Sequence, residues 1–232
     1  DPETVIATHL NSILGSNPNE LMTFDVAQKL IDRVAETHPK LIEDLIPERI
    51  ELGTLVQVLQ NLLEERVPLR DMRTILETLA KETGGVKDPE LLTARVRPQI
   101  GRLILQNVVN PGDTLPVLTL DPALEQLFAD LVSRSEDPSQ IALEPELAEK
   151  LFEEVKARAS EAEENEGAAV LVVSPTIRPW ISKTLRRAVE DLTVLAYTEI
   201  PSDQQIRVLA SVTIDGNNRD GTESTNNYEN NR

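Results

Sequence analysis

The residue types that most often carry out chemistry are scarce in this chain, and their spacing forms no recognised site. There is no cysteine, which excludes disulfides, thiolate metal ligands and thiol nucleophiles. The two histidines, His9 and His38, stand far apart in the sequence, and neither has a second metal ligand one turn away on its own helix. No metal site is therefore predicted, and both imidazoles are expected to lie on helix surfaces or to pack against neighbours.

Carboxylates are numerous enough to supply a general acid and a general base, since the chain holds 40 Asp and Glu residues. Most of them occur in Glu-rich runs with Lys or Arg at helical spacing, a pattern typical of solvated helix faces. Ser174 follows an apolar run and opens a predicted helix, but it lacks the flanking glycines of a nucleophile elbow and is expected to act as an N-cap. The segment 83–87 contains two glycines without matching a phosphate-binding loop. The sequence therefore predicts no catalytic residue, no cofactor and no enzyme.

The net charge of the chain limits the classes of molecule that it is expected to bind. With 23 basic and 40 acidic residues the formal net charge is −17, and no basic patch is present to neutralise phosphates. Nucleic acid and anionic membrane surfaces are accordingly not expected to bind, and no run of about 18 apolar residues could span a membrane. The acidity favours solubility, or contact with basic or neutral protein partners.

Helical patterns fill about the first 110 residues, and Asp-Pro pairs mark several helix starts because the aspartate caps and the proline has no N–H to leave unpaired. Pro98 should kink the last of these helices, and Asn110–Asp113 is the predicted boundary of an all-helical unit spanning 20–110. The helices are predicted over 1–14, 23–37, 39–45, two parts of 52–80, and 88–109.

The second unit, predicted over 111–214, alternates apolar runs with helical patterns. A strand, a helix and a strand follow one another between 168 and 200, so the middle of the sheet should be parallel, and the last two strands are predicted to form an antiparallel hairpin. The fold class is therefore mixed α+β, with an all-α subdomain followed by a small α/β subdomain. The polar stretch 215–232 is predicted to be a disordered tail. Strands are predicted at 115–120, 168–173, 192–200 and 205–214, and helices at 122–132, 145–163 and 175–189.

Two surface features allow more than one interpretation. Trp180, the only tryptophan, could be an exposed anchor for a partner, although sealing a helix against the sheet is the more common role. Arg66, Arg70, Asp71 and Arg73 form the densest charge cluster of the helical unit. They could form a solvated helix face, or a subunit interface in which arginine pairing fixes the register.

Four strings, taken in order, resemble the FHIPEP export-gate family of bacterial type III secretion, and its flagellar branch in particular. The first three are DPETVIATHL at 1–10, PKLIEDLIP at 39–47 and VLQNLLEERVPLRDMRTILETLA at 58–80. The fourth is a set of short segments between 172 and 201, namely VVSP, IRP and LAYTEIP. The resemblance extends from residue 1 to about residue 214. It implies a membrane-embedded half followed by a cytosolic region of four subdomains at the cytoplasmic face of the inner membrane, where nine copies form a ring that docks chaperone–substrate complexes.

Within that family the chain resembles the end of the first cytosolic subdomain (1–19), the third (20–110) and the fourth (111–214). The chain opens at Asp1 within a helix start, which favours a fragment of a longer protein. The implied partners are export chaperone–substrate complexes, other export-apparatus proteins and further copies of the chain. The implied activity is recognition and assembly, not covalent chemistry.

The resemblance also assigns residues. Val5 and Thr8 match the chaperone-docking positions of the family's VIATHL string, although the second subdomain that completes this site is absent. Arg66, Arg70 and Asp71 fall in the subdomain that makes the ring contacts. Two alternatives remain open: the homologous export gate of a virulence injectisome, and a small α/β enzyme built on the strand–helix–strand unit.

Overall fold

The structure is a computed structural model that describes residues 18–214, except 85, 136, 187 and 190. The predictions for the first helix, including Val5 and Thr8, and for the tail 215–232 lie outside these residues. Within the described ranges, no helix is both long enough and apolar enough to cross a bilayer.

Helices occupy the first half of the described chain, as predicted. Local capping explains several of their starts: the Thr23 side chain accepts from the Val26 N–H at 3.3 Å, Asp71 from Thr74 at 3.1 Å, and Asp88 from Glu90 at 2.9 Å. The helices are α1 Phe24–Ala35, α2 Pro39–Leu45, α3 Leu52–Glu64, α4 Met72–Glu82, α5 Pro89–Val96 and α6 Gly101–Leu105.

The segment around Pro98 differs from the prediction of one kinked helix. A 3-10 helix, Arg97–Ile100, separates α5 from α6. Proline supplies no N–H for the helical ladder, so the chain tightens into a 3-10 turn instead of bending smoothly. Gly101 begins α6 in close contact with the backbone of Glu199, since a Cβ at this position would lie 2.0 Å from the Glu199 carbonyl oxygen. The break therefore brings this part of the helical half directly against the sheet half.

The second half contains a four-stranded sheet in the order β3-β2-β1-β4, and every pair is parallel. Helices α7 and α8 connect β1 to β2, and α9 connects β2 to β3. The elements are β1 Leu115–Leu120, α7 Pro122–Arg134, α8 Pro145–Glu166, β2 Val170–Val173, α9 Arg178–Arg186, β3 Thr193–Ala196 and β4 Ile206–Val212. The mixed α+β class and the parallel strand–helix–strand unit are confirmed.

The predicted terminal hairpin is wrong. Strand β4 pairs with β1 at the far edge of the sheet, from Leu115 opposite Ile206 to Leu120 opposite Val212. The connection from β3 is not a tight turn, because Tyr197–Glu199 forms a 3-10 helix that packs on the Arg97–Ile100 turn. The chain thus crosses the sheet between the third and fourth strands, and β3 and β4 end up on opposite edges.

Ser174 does not cap α9, contrary to the prediction. The helix begins four residues later, at Arg178, and the Ser174 hydroxyl is buried without a hydrogen-bond partner among the described residues. The Ser174 N–H donates instead to Oε1 of Glu125 at 2.6 Å. The Ser-Pro pair therefore ends a strand and leads into a turn before the helix starts.

Both faces of the sheet are buried over β1–β3, whereas the edge strand β4 is mostly exposed. Alternate strand residues such as Leu115, Val117 and Val170 join the core of α1–α6, whereas Leu118 and Leu171 face the core formed with α7–α9. Trp180 is 5% exposed and packs edge-on against Phe128 with ring centroids 5.2 Å apart, which confirms its sealing role. The first core crosses residue 110, so the helices and the sheet share it, and the division into subdomains stays a prediction.

Candidate functional site

The loop between α3 and α4, residues 65–71, carries the charged cluster that the sequence singled out. Its backbone closes α3 with a Schellman motif: the Arg66 N–H donates to Leu63 O and the Val67 N–H to Leu62 O, both at 2.9 Å. Arg66 holds the left-handed position with φ 56°, where glycine is the usual residue. Within the described ranges it is the one non-glycine residue with a positive φ. Val67 is buried and anchors the loop.

The three predicted interface residues have different surroundings. Arg66 Nη1 lies 2.5 Å from Asp191 Oδ1, and both side chains are more than half exposed. Asp71 caps α4, accepting from the N–H and the hydroxyl of Thr74. Arg70 is exposed and makes no side-chain hydrogen bond or ion pair with any residue in the described part of the chain. Arg70 is therefore the one of the three whose charge has no partner among the described residues.

A network of buried charges lies directly beneath this loop, and sequence reasoning missed it. Glu65 Oε2 lies 2.5 Å from Nη1 of Arg97 and 2.5 Å from Nη1 of Arg178. Glu199 binds Arg97 through both carboxylate oxygens, at 2.9 Å from Nε and 2.7 Å from Nη2. Side-chain exposure is 2% for Arg97, 3% for Arg178, 2% for Glu199 and 13% for Glu65. We call these four residues the buried ion-pair network.

The opposite charges of the network stabilise the ionised forms of Glu65 and Arg97 against the cost of burial. Burial alone would raise the pKa of the Glu65 carboxyl, but the guanidinium groups of Arg97 and then Arg178 outweigh it and lower that pKa. Burial likewise opposes the charge on Arg97, yet Glu65 and Glu199 raise its pKa. Burial and repulsion from Arg97 lower the pKa of Arg178, against the attraction of both carboxylates. Two cations thus balance two carboxylates away from water.

Further ion pairs continue from the network to the surface along α9. Arg186 contacts Glu64 and lies 3.8 Å from Glu65, and Lys183 contacts Glu90 at the start of α5. These pairs are more exposed than the network and are weaker because solvent screens them. The basic residues of α9 therefore dock on acidic helix ends of the first half.

A sequence signal for the network existed but was weak. Arg97 and Arg178 each stand between an apolar residue and a proline, in Val96-Arg97-Pro98 and Ile177-Arg178-Pro179. Arg178 and Glu199 also fall within the strings that carried the family resemblance, as does Glu65. A charge flanked by apolar residues suggests burial with a partner, but nothing local in sequence identifies that partner.

A cleft of about 440 Å³ opens beside the loop. Asp71 lines it from the loop, residues 98–100, 102, 103 and 106 from the helical half, and residues 198–201 from the sheet half. An exposed pair, Arg102 Nη2 with Asp203 Oδ1 at 2.8 Å, lies next to it. In the described part of the chain, no group of three or more His, Asp or Glu residues is arranged to hold a metal ion. His38 shares a 2.8 Å hydrogen bond with the Thr37 hydroxyl.

Comparison with known proteins gives one consistent result. Residues 1–205 match the model of the FHIPEP family. The "Flagellar biosynthesis protein FlhA" of Salmonella typhimurium is 42% identical over 212 residues, which cover 91% of this chain and 30% of that relative. The chain therefore spans less than a third of this relative's length.

Two solved structures share the fold. "Cryo-EM structure of nonameric EPEC SctV-C" gives a TM-score of 0.79 at 25% identity, covering 89% of this chain and 62% of that chain. "Structure of the Chlamydia pneumoniae CdsV and CdsO protein complex" gives 0.80 at 23% identity, covering 92% and 62%. The structural likeness thus extends over about nine tenths of the chain.

Proposed function

The chain belongs to the FHIPEP family, and from this premise we propose that it is the C-terminal cytosolic part of a flagellar type III export gate. We favour the flagellar system because the flagellar relative is 42% identical to the chain, whereas the solved structures named SctV and CdsV are 25% and 23% identical to it. The injectisome gate remains the alternative. In this proposal the full-length protein is anchored in the bacterial inner membrane, and this part lies on its cytoplasmic face.

We propose recognition and assembly as its activity, with no covalent step. Export chaperone–substrate complexes dock at Val5 and Thr8, other export-apparatus proteins bind elsewhere, and copies of the chain form a ring. The family match over residues 1–205, which includes the string containing Val5 and Thr8, is the observation that carries the proposal. The proposal also includes the division of the chain into the end of one subdomain at 1–19 and two further subdomains at 20–110 and 111–214.

The 65–71 loop is the proposed ring contact. Copies with a net charge of −17 repel one another, so association needs a local attraction strong enough to overcome that repulsion. Arg70 offers an exposed cation that has no partner in the described part of the chain, and Arg66 keeps a side chain at a backbone position that favours glycine. A non-glycine residue in such a position points to use of its side chain. We therefore expect both arginines to face carboxylates of a second copy.

Docking is tested with the intact cytosolic region and a purified chaperone–substrate complex. Thr8→Asp places a carboxylate in the proposed site and should weaken binding at least tenfold in titration calorimetry. Ser133→Asp, on the exposed surface of α7, adds the same charge elsewhere and should bind as the wild type does. Equal affinities for the wild type and the Thr8→Asp variant would remove the docking site from the proposal.

A further inference from the structure

The buried ion-pair network joins parts of the chain that are distant in sequence. Glu65 caps the end of α3 and Arg97 opens the 3-10 turn after α5, so both belong to the helical half. Arg178 begins α9 and Glu199 lies in the 3-10 helix after β3, so both belong to the sheet half. Of the four ion pairs within the network, Arg97–Glu199 and Arg178–Glu65 cross from one half to the other, whereas Arg97–Glu65 and Arg178–Glu199 each stay within one half. The network is therefore a junction between halves.

Its burial makes the junction rigid. If the sheet half shifted, the Arg178 guanidinium would leave Glu65, and Glu199 would leave Arg97. Glu65 would keep only Arg97 and Arg178 would keep only Glu199, so each half would lose a buried charge-assisted contact, which costs more than losing an exposed pair. Small displacements are thus strongly resisted at this point, in contrast to the screened pairs of Lys183 and Arg186 at the surface.

The junction is also covalently continuous with the 65–71 loop. Glu65 immediately precedes Arg66, whose left-handed backbone conformation directs the chain away from α3. From the side, Asp191 in the connection between α9 and β3 holds the Arg66 guanidinium. The Asn107 amide lies 3.5 Å from the Arg66 carbonyl oxygen. The sheet half thus contacts this loop at two points, at its first residue and at its second.

We infer that the buried ion-pair network is a positioning device that transmits the placement of the sheet half to the 65–71 loop. Arg178 holds the Glu65 carboxylate, so the position of Arg178 fixes that of Glu65. Glu65 in turn fixes the backbone conformation of Arg66 and Val67. The consequence for ring formation rests on the proposed function of the loop, whereas the mechanical coupling does not. A partner that shifted the sheet half would, through this device, change the loop surface.

Amide hydrogen exchange in the full chain tests the coupling. The Arg66 and Val67 amides close the Schellman motif, so their exchange rates report the loop conformation. Arg178→Met removes a charge 113 residues away from Glu65 and should accelerate exchange at these two amides at least tenfold. Arg158→Met is the matched control, because Arg158 pairs with Glu154 and Glu161 on α8, away from the network. It should leave both amides unchanged.

A second comparison separates coupling from general destabilisation. Val155→Ala loosens the core of the other sheet face without touching the network. For each variant, the acceleration of exchange at the Arg66 and Val67 amides is divided by the acceleration at the β1 amides. The inference is overturned if this ratio is as large for Val155→Ala as for Arg178→Met. Glu199→Gln, which keeps the side-chain shape, gives the same test if Arg178→Met does not fold.

The double variant Glu65→Gln with Arg178→Met checks the charge balance. It leaves Arg97 with Glu199, a balanced pair, so its exchange rates should rise less than the product of the two single effects. Strict multiplication of the two effects would contradict a shared network. One outcome is that Arg178→Met accelerates exchange in the loop while variants of Arg66 and Arg70 still self-associate as the wild type does. That result would refute the ring role of the loop, but it would leave the positioning device intact.

Discussion

Glu65 and Arg66 are sequence neighbours whose side chains face different surroundings. The Glu65 carboxylate is largely buried between two guanidinium groups, whereas Arg66 pairs with Asp191 in solvent. A buried charge is costly when its partner is lost, and an exposed pair contributes little because water and salt screen it. Stability should therefore respond strongly to changes at Glu65 and weakly to changes at Arg66, while assembly should respond to Arg66.

Replacing Arg66 separates backbone from side-chain effects. Arg66→Gly relieves the left-handed conformation, and this gain offsets the lost exposed pair, so unfolding by urea should show a free energy within about 1 kcal/mol of wild type. Arg66→Ala loses the same side chain and keeps the backbone cost, so it should be less stable than the glycine variant by about 1 kcal/mol.

Both Arg66 variants should weaken self-association equally, measured by sedimentation at high protein concentration. Arg70→Ala, which removes no described contact, should do the same without altering stability. The proposed ring contact would be contradicted if all three variants associated like the wild type.

The pKa of Glu65, lowered in the folded state, predicts a pH dependence of stability. A depressed carboxyl pKa contributes stability above the unfolded-state value of about 4.3, and this contribution disappears as the pH falls through the folded-state value. At pH 7, Glu65→Gln should lower the free energy of unfolding by about 3–5 kcal/mol, the cost of breaking a buried pair. The difference from wild type should shrink steadily below about pH 4.

Urea unfolding of both proteins at several pH values measures this trend. Glu146→Gln is the matched control, because its pKa is also lowered, by a hydrogen bond from Lys150, but the group is fully exposed. Its effect on stability should be much smaller at every pH. A Glu65→Gln deficit that stayed constant down to pH 3 would show that charge is not the cause.

Two connecting segments decide the arrangement of elements. The Arg97–Ile100 turn places Arg97 in the core, and the Tyr197–Glu199 helix lays Glu199 across it. The sequence predicted a kink at Pro98 and a hairpin near Pro201, so it located both irregular points. It did not predict their outcome, because the two segments stabilise each other across a separation of about 100 residues in the chain.

Glycine substitutions test this close packing at the element scale. Gly101→Ala places a methyl group against the Glu199 carbonyl oxygen and should lower the free energy of unfolding by about 2–4 kcal/mol. Gly53→Ala is the matched control within α3, where the nearest atom, Phe24 Cζ, lies at 3.9 Å. Alanine favours the helix there, so this variant should be neutral or more stable by up to about 1 kcal/mol. Thermal unfolding of the two variants decides the matter, and equal shifts would contradict the tight contact.

The described part of the molecule is one layered structure, in which strands β1–β3 are buried between the α1–α6 helices and the α7–α9 helices. Its surface carries the excess of acidic residues, and the formal net charge is −17. Long-range repulsion between copies acts over roughly 10 Å at 0.1 M salt and much farther in dilute buffer. Association between copies of the chain must therefore overcome this electrostatic repulsion.

Salt should consequently promote self-association. Raising sodium chloride from 10 to 150 mM should increase the association constant several-fold in sedimentation measurements, because repulsion between like-charged copies is screened first. Arg70→Glu should weaken association most at low salt, where its added charge is least screened. A fall in association with rising salt would show that attraction between opposite charges, and not net repulsion, controls assembly.

The sequence by itself determined most of the local structure, because helical periodicity, Asp-Pro caps and apolar runs act over a few residues. It located α1–α4, α7, α8, β1 and β2 to within a few residues, singled out Arg66, Arg70 and Asp71, and carried the family resemblance. Only the tertiary structure decided the strand order and the partners of Arg97, Arg178 and Glu199. These depend on contacts between residues about a hundred positions apart, and no local pattern encodes which distant charge or strand edge a residue meets.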